Sequence, residues 1–414
     1  MVRRKRNKGG RASPENSPSK RRRQCSQLEC HRRWVFLPKH SSNCTDKVVV
    51  VSYNTLGVEN ASKHPDLYSN IPHSFLEWDR RKRLIHEEIN NYNASILCFQ
   101  EVDHFNDLDD LFQNSGFKGV YKARTGEARD GCAVFWKKKL FSLLHQEDIE
   151  FQRFGMRNNV AQLCVLEANH DKQESNTCNL TTINMICDYK AQSTRKRRFV
   201  VGNIHVLFNP NRGDIKLGQV RLLLDKAYQL SQEWGNIPVI IAGDFNSVPK
   251  SAIYKFLSSS KLDIQLHDRR NMSGQLEIQT NRVFRSLSDG ASISMSVSRQ
   301  LYRWSVEELR LASGEEGVTH LQHQLKLCSA YSGVPGNHKT RDDIGEPLAT
   351  SYHSKFMGTV DYIWHSKDLV PVRVLETLPI DILIRSRGLP SEKWGSDHLA
   401  VVCELAFANN GNIS

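Results

Sequence analysis

The sequence predicts an α/β fold in one large domain. Short apolar, β-rich runs recur along the chain, helical periods lie between them, and no repeat with a period of about 20–50 residues is present. The first run, KVVVVSYNTL, covers residues 47–56. Others are ASILCFQEV (94–102), GCAVFWKK (131–138), NVAQLCVLE (159–167), RFVVGNIHVLF (198–208), PVIIAGDFN (238–246), TVDYIWHS (359–366) and LAVVCELAF (399–407). Apolar runs this continuous suit sheets buried on at least one face and often on both. EWDRRKRLIHEEINNYN (77–93) predicts a helix with Trp78, Leu84, Ile85 and Ile89 near one face and charges on the other. The strongest helical period is DIKLGQVRLLLDKAYQLSQEW (214–234), which opens on an Asp suited to capping. Two polar stretches, 169–196 and about 265–323, read as surface insertions; in the second, Ser305 and Glu308 are spaced as a capping box.

With 414 residues and 39% hydrophobic content the chain can bury a sizeable core. No window approaches the roughly 18 apolar residues of a membrane span, and the charged start MVRRKRNKGG lacks an apolar stretch behind it, so no membrane partner and no secretion are expected. The ten cysteines include no CxxC pair and several lie in apolar runs, which predicts small buried core residues in a reducing compartment.

The net charge of +12 is concentrated at one end. Residues 1–40 hold thirteen Lys and Arg against Glu15 and Glu29, a net of +11 that leaves +1 for the rest. Residues 1–46 are expected to form a disordered basic tail, 47–407 one folded domain and 408–414 a disordered end. Clusters RRKR (3–6) and KRRR (20–23) resemble a two-part nuclear import signal or a sequence-blind phosphate contact, although a solvated tail with no specific task explains them equally well. A protein of nucleus and cytoplasm is expected.

Candidate chemistry lies where the strands end. Asn54 follows VVVVSY, Glu101 follows SILCFQ, His205 ends VVGNIH, and Asp244 and Asn246 end VIIAGDFN; Asp361 lies in TVDYIW, and Asp397 and His398 precede the last strand. Each alone is equally a turn former, a cap or a hydrogen-bonded core residue. Together they would place polar groups along one sheet rim. The set suits phosphoryl transfer. A hard divalent cation takes carboxylate and amide oxygens, here Glu101, Asn54 and Asp397, and would polarise a phosphate oxygen. Asp244 is then the candidate to orient or deprotonate water, Asn246, His205 and His398 would donate to developing charge, and Asp361 would hold the His398 tautomer.

The series SYN, QE, IH, GDFNS, VDYIW and SDH resembles the exonuclease/endonuclease/phosphatase superfamily over nearly the whole body of the chain. DGCAVFW (130–136), NPNRGDIKL (209–217) and GDFNSVP (243–249) narrow the resemblance to its deadenylase-like branch, which includes the carbon-catabolite-repressor type poly(A) nucleases, nocturnin and the Angel proteins. YKARTG (121–126), HVLFNPNRGDIKL (205–217) and AGDFNSVPKSAIYKFL (242–257) look most like the Angel group. The resemblance implies a four-layer αββα sandwich, two packed mixed β-sheets flanked by helices, with the site at one end. It implies Mg2+, with Mn2+ as a substitute, held chiefly by Glu101, and the remaining residues above as the catalytic shell. Pro210 and Phe356 match positions that pack against terminal bases in poly(A)-specific members. Ser351 stands where adenine-reading members carry asparagine, and serine cannot make the bidentate amide contact.

The activity implied is 3′–5′ exoribonucleolysis of RNA 3′ ends, with poly(A) as substrate. An alternative is the RNA 2′,3′-cyclic phosphatase reaction of some Angel-type proteins. A third reading of another class, a catalytically idle RNA-binding scaffold, meets the difficulty that every ligand and base position is filled by the required residue type. RNA is the expected partner; a deadenylation complex is a second, although the leucine-rich repeats with which some relatives dock are absent from the sequence.

Overall fold

Val48 to Val51 are all buried because β2 (Lys47–Asn54) is covered on both sides. Val48 and Val50 face the other sheet, and Val49 and Val51 face helices outside. A run without polar alternation is what such a position selects. The computed structural model describes residues 32–37, 47–169, 197–275 and 304–408.

The first sheet has seven strands in the order β1-β16-β17-β2-β3-β5-β4. Its other members are β1 (Trp34–Phe36), β3 (Ile96–Gln100), β4 (Phe117–Ala123), β5 (Gly131–Lys137), β16 (Leu369–Leu375) and β17 (Val401–Phe407). The second has six, β12-β15-β9-β8-β7-β6, formed by β6 (Phe141–Glu150), β7 (Val160–Ala168), β8 (Arg198–His205), β9 (Val239–Asp244), β12 (Leu327–Ser329) and β15 (Asp361–Ser366). Two two-stranded sheets lie outside them: β10 (Lys261–Asp263) with β11 (His320–Gln322), and the hairpin of β13 (Ser351–His353) with β14 (Phe356–Gly358). Each sheet holds one parallel pair, β2–β3 and β8–β9, between antiparallel neighbours. Val50, Cys98 and Val134 of the first sheet pack with Val201, Ile240 and Ile363 of the second in one core between the sheets.

Helices α3 (Trp78–Asn90) and α4 (Phe105–Asn114) cover the first sheet, and α5 (Gly213–Glu233), α6 (Ala252–Ser259) and α7 (Val306–Ser313) cover the second. The four-layer αββα sandwich expected from the sequence is thus the observed fold. Among the described residues no helix is long and apolar enough to cross a membrane. The Ser305–Glu308 capping box is present at the start of α7.

Several expectations need correction. The basic tail does not run uninterrupted to residue 46. Trp34–Phe36 pairs with Leu375–Arg373, and the Arg32 side chain, 2% exposed, meets Glu88 at 3.1 Å, Tyr92 Oη at 3.1 Å and the carbonyl of Glu376 at 2.8 Å. Residues 1–31 and 38–46 lie outside the described residues, as do 170–196 and 409–414. The stretch 265–323 is not wholly a surface insertion. Ala312 and Leu321 belong to the core, and α7 approaches α5 so closely that a Cβ on Gly218 would lie 2.3 Å from Leu311 O. Asp214 does not cap α5; it sits in the first turn, paired with Arg212 at 2.7 Å. Nor do all charges of α3 face outward, since Arg81 and Glu88 are buried. Of the cysteines in described residues, Cys98, Cys132, Cys164 and Cys403 are buried as expected, but Cys328 is exposed.

Two measurements follow. Arg32→Ala would strand the Glu88 carboxylate in the core and is expected to cost about 3–5 kcal/mol in denaturant unfolding, against less than about 0.5 kcal/mol for exposed Arg33→Ala. Burial pushes Glu346 up to about 7 from 4.5, against hydrogen bonds from Ser329 and Tyr254. An acid with a raised folded pKa gives stability that is complete below the unfolded value and lost as pH rises through the folded one. Wild type should therefore lose up to about 3 kcal/mol from this group between pH 4.5 and 7. Glu346→Gln should melt higher than wild type at pH 8, with the advantage vanishing below pH 4.5.

Candidate active site

Strand direction assembles the site. Parallel strands finish at the same rim, so Asn54, the last residue of β2, stands opposite Gln100, and Glu101 follows immediately. In the second sheet His205 and Asp244, the last residues of β8 and β9, are register partners. Gly243 makes this approach feasible, because a Cβ there would lie 2.1 Å from Ile204 O. Antiparallel β15 then starts where β9 stops, placing Asp361 opposite Asp244. Asp397 and His398 lead into β17 by the same logic, held by Tyr352 N to Asp397 O (2.9 Å) and Leu399 N to Thr350 O (2.7 Å).

Glu101, Asp244 and Asp397 share one cleft of about 240 Å3, with His205, Asn246, Ser351, Phe356 and His398 also on its walls. Asp361 lies beneath it, 1% exposed. An adjoining hollow is lined by Pro210, Phe208, Leu67 and Phe356 together with His64, Asp66, Gln275, His353 and Lys355, and Phe356, Phe208 and Leu67 belong to both. Phe208 is 54% exposed and makes this mouth apolar.

The carboxylates are set differently. Burial disfavours the Glu101 anion, but His205 nearby and hydrogen bonds from Asn60 Nδ2 (2.9 Å), Asn54 Nδ2 (3.0 Å) and Gly57 N (3.0 Å) bring its pKa down to about 2. Burial and then the neighbouring Asp361 raise Asp244. Burial also raises Asp397, which accepts from Tyr68 Oη at 2.9 Å. His398 is raised despite its burial by Asp361, Asp397 and Asp244. Its Nδ1 lies 2.9 Å from Asp361 Oδ2, and its Nε2 is 3.9 Å from Asp244 Oδ2. Thr350 Oγ1 donates to the same Asp361 oxygen at 2.6 Å. His205 Nε2 stands 3.7 Å from Asp244 and 3.9 Å from Glu101.

The amides of Asn54 and Asn246 are both tied into hydrogen bonds. Asn54 Oδ1 accepts from Leu56 N at 3.0 Å, which turns the amide nitrogen toward Glu101 Oε1 and Asp244 Oδ2, both at 3.0 Å. In this arrangement Asn54 spaces and orients two carboxylates. Asn246 spends one amide proton on Val206 O at 2.9 Å and keeps the other. Glu101 and Asn246 both have left-handed backbones, φ +54° and +45°, a costly conformation that clusters at working sites.

The half-buried Glu101 and the buried Asp244, Asp361 and Asp397 meet two imidazoles at this rim, a charge balance and an oxygen-rich donor set that fit a hard divalent cation. Asp244, Asp361 and His398 also offer ligand atoms within 4.8 Å of one another. The 2.9 Å contact between Asp361 and His398 is a hydrogen bond through Nδ1, which leaves Nε2 facing Asp244 at 3.9 Å.

Sequence reasoning missed several residues. Arg81, fully buried on α3, donates to the carbonyls of Thr55, Leu56 and Gly395 and so holds the two loops that carry Asn54 and Asp397. Lys216 Nζ donates to Asn246 O at 2.7 Å, and burial lowers its pKa to about 7. It lies in NPNRGDIKL, where its place on the buried face of the helix was the available signal. Arg124 lies in YKARTG, quoted above for its resemblance alone, while Asn60, Tyr68 and Thr350 carry no such signal.

The sequence profile of the Endonuclease/Exonuclease/phosphatase family matches residues 51–398. Carbon catabolite repressor protein 4 homolog 5 of Arabidopsis thaliana is 63% identical over 383 residues, covering 92% of this chain and 81% of that protein. Protein angel homolog 2 of Danio rerio is 31% identical over 385 residues, 85% of this chain and 63% of that one. Among solved structures, ANGEL2, a 2′,3′-cyclic phosphatase, in complex with adenosine-2′,3′-vanadate superimposes with a TM-score of 0.70 at 28% identity, over 91% of this chain and 99% of that one. The human Nocturnin catalytic domain with bound sulfate, at 23% identity over 91% and 97% and a TM-score of 0.54, shares the fold. The match across 51–398 and the carboxylate–histidine rim make the chain a member of the endonuclease/exonuclease/phosphatase family of enzymes, among the carbon catabolite repressor 4 homologues and Angel proteins.

Proposed function

We propose that the chain hydrolyses phosphoester bonds at RNA 3′ ends with Mg2+, acting as a 3′–5′ exoribonuclease on poly(A) tails. The observation that carries this reading is the continuity of the acidic, histidine-bearing cleft with the apolar mouth of Pro210, Phe208 and Phe356. A phosphate can lie in the first while a base stacks in the second. The similarity to carbon catabolite repressor 4 homologues supports it.

Glu101 and Asp397 would hold the cation, which when bound polarises a phosphate oxygen and screens charge. Asp244 sits where it accepts a proton from water, flanked by His205 and His398. His398 gives Nδ1–H to Asp361, leaving Nε2–H to donate to a phosphoryl oxygen, and His205 does the same from the opposite strand. Asn246 offers its free amide proton. Phe356 supplies a stacking face, and Ser351 leaves base identity unread.

A second reading, hydrolysis of 2′,3′-cyclic phosphate ends, is favoured by the superposition on ANGEL2 and by Ser351. The full chain with Mg2+ should be offered a 3′ poly(A) RNA, a non-A RNA and a 2′,3′-cyclic-phosphate RNA. Shortening upholds the first reading; ring opening or dephosphorylation without shortening selects the second. Asp244→Ala should lower kcat/KM by roughly 10²–10⁴-fold and EDTA should abolish turnover. Equal behaviour of wild type and Asp244→Ala on all three RNAs would sink both. Phe356→Ala should raise KM roughly 5- to 100-fold with kcat nearly kept, the worth of one stacked base. Ser351→Asn should increase the preference for A over non-A ends, read as a ratio of kcat/KM values.

A further inference from the structure

We infer that Arg124 is a phosphate-binding residue that receives the internucleotide phosphodiester one step 5′ of the reacting one; the inference rests on the exoribonuclease reading above. Among the residues lining the acidic cleft, Arg124 is the sole Arg or Lys. A polyanion threading past Glu101, Asp244 and Asp397 meets one permanent positive charge there. The hollow of Pro210 and Phe356 does not include Arg124. With the terminal base on that platform and the scissile phosphate between the histidines, the remaining chain leaves past cleft residues that do not line the platform, and Arg124 is one of them.

The residue is built into place. It follows the end of β4, where its N–H donates to Asp130 O at 3.0 Å, and the next residue, Thr125, donates to Asn158 O at 3.1 Å. The β4–β5 turn is thereby tied to the loop before β7 in the other sheet. The guanidinium gives one hydrogen bond to Asp130 Oδ1 (3.3 Å) and one to Asn158 Oδ1 (2.6 Å). One N–H on each terminal nitrogen remains, while Nε is closed off from solvent and has no partner among the described residues. A guanidinium fixed by two partial contacts keeps the planar fork that suits phosphate.

Its place argues against the reacting phosphate itself. The sole ion pair that Arg124 makes within 4 Å among the described residues is with Asp130; Glu101, Asp244 and Asp397 lie beyond that distance. A group acting on the phosphorus attacked beside Asp244 would stand among those carboxylates. Arg124 is therefore a specificity residue for chain length and not a catalytic one.

The test compares a dinucleoside monophosphate, ApA, with the trinucleotide ApApA, which adds one phosphodiester on the 5′ side. Wild type should show a KM at least tenfold lower for ApApA. Arg124→Ala should erase that difference, leaving kcat within about twofold and ApA kinetics unchanged, while Arg124→Lys, which keeps charge without the fork, falls between. Arg153→Ala removes an equal charge from an exposed side chain paired with Glu150 and should match wild type. Loss of rate on ApA and ApApA alike, or on neither, overturns the inference. Anisotropy titrations of labelled ApA and ApApA in EDTA provide a readout without turnover. Arg124→Ala should flatten the slope of log affinity against log salt by about 0.7 for the longer RNA alone. If wild type cleaves no RNA, the exoribonuclease reading falls, and this binding arm still decides: a length-dependent affinity abolished by Arg124→Ala upholds the role, and its persistence overturns it.

Discussion

One geometric constraint organises the molecule: each sheet contains a single parallel pair, and both pairs run toward the same rim. Two parallel strands deliver their last side chains side by side, so Asn54 and Glu101 come from one sheet and His205 and Asp244 from the other. The antiparallel neighbours β15 and β17 begin where those strands end and add Asp361, Asp397 and His398. A fully antiparallel sheet would alternate the ends and scatter these groups over two faces. The polar link from Gln100 Nε2 to Asn203 Oδ1, 2.8 Å across the sheet interface, ties the two parallel pairs together below the site.

Gathering carboxylates at a buried rim is costly, and much of the surrounding structure compensates. Glu101 is kept ionised by three donors and a histidine. Tyr68 serves Asp397, Thr350 serves Asp361, and Ser396 accepts His398 N while donating to Asn54 O. Arg81 contributes a buried cation and gathers the carbonyls of the loops behind these residues. What remains is a negative balance matched to a divalent ion, next to a mouth where Phe208, Pro210 and Phe356 stand beside Asp66 and Lys355. Arg124 stands outside that negative group, which is why it can interact with a second phosphate without neutralising the centre.

Edges of the fold were harder to read from sequence. Residues 32–37 look like the end of a basic tail, yet Arg32 completes a buried cluster with Glu88 and Tyr92 while Trp34–Phe36 closes the first sheet. Strands β4 and β6 are edge strands with half-exposed polar patterns, and β16 carries Pro371 at a register shift, so none shows the apolar run that marks a buried strand. Helix α7 was legible through its capping box, but its contact with Gly218 depends on a helix some ninety residues earlier.

The sequence by itself determined the central strands, the order of polar residues at their ends and the layer architecture, because burial on both faces demands continuous apolar runs and the rim is the one place beside them where polar groups stay satisfied. Tertiary structure alone decided which groups face one another. That the Asn54 amide turns its nitrogen to two carboxylates follows from Leu56 N–H holding its oxygen. That Arg81 and Arg32 are internal follows from carbonyls and a carboxylate supplied by distant segments. Hydrogen-bond partners hundreds of residues apart leave no periodic trace in a chain, whereas burial does, and this difference separates what could be read from what had to be seen.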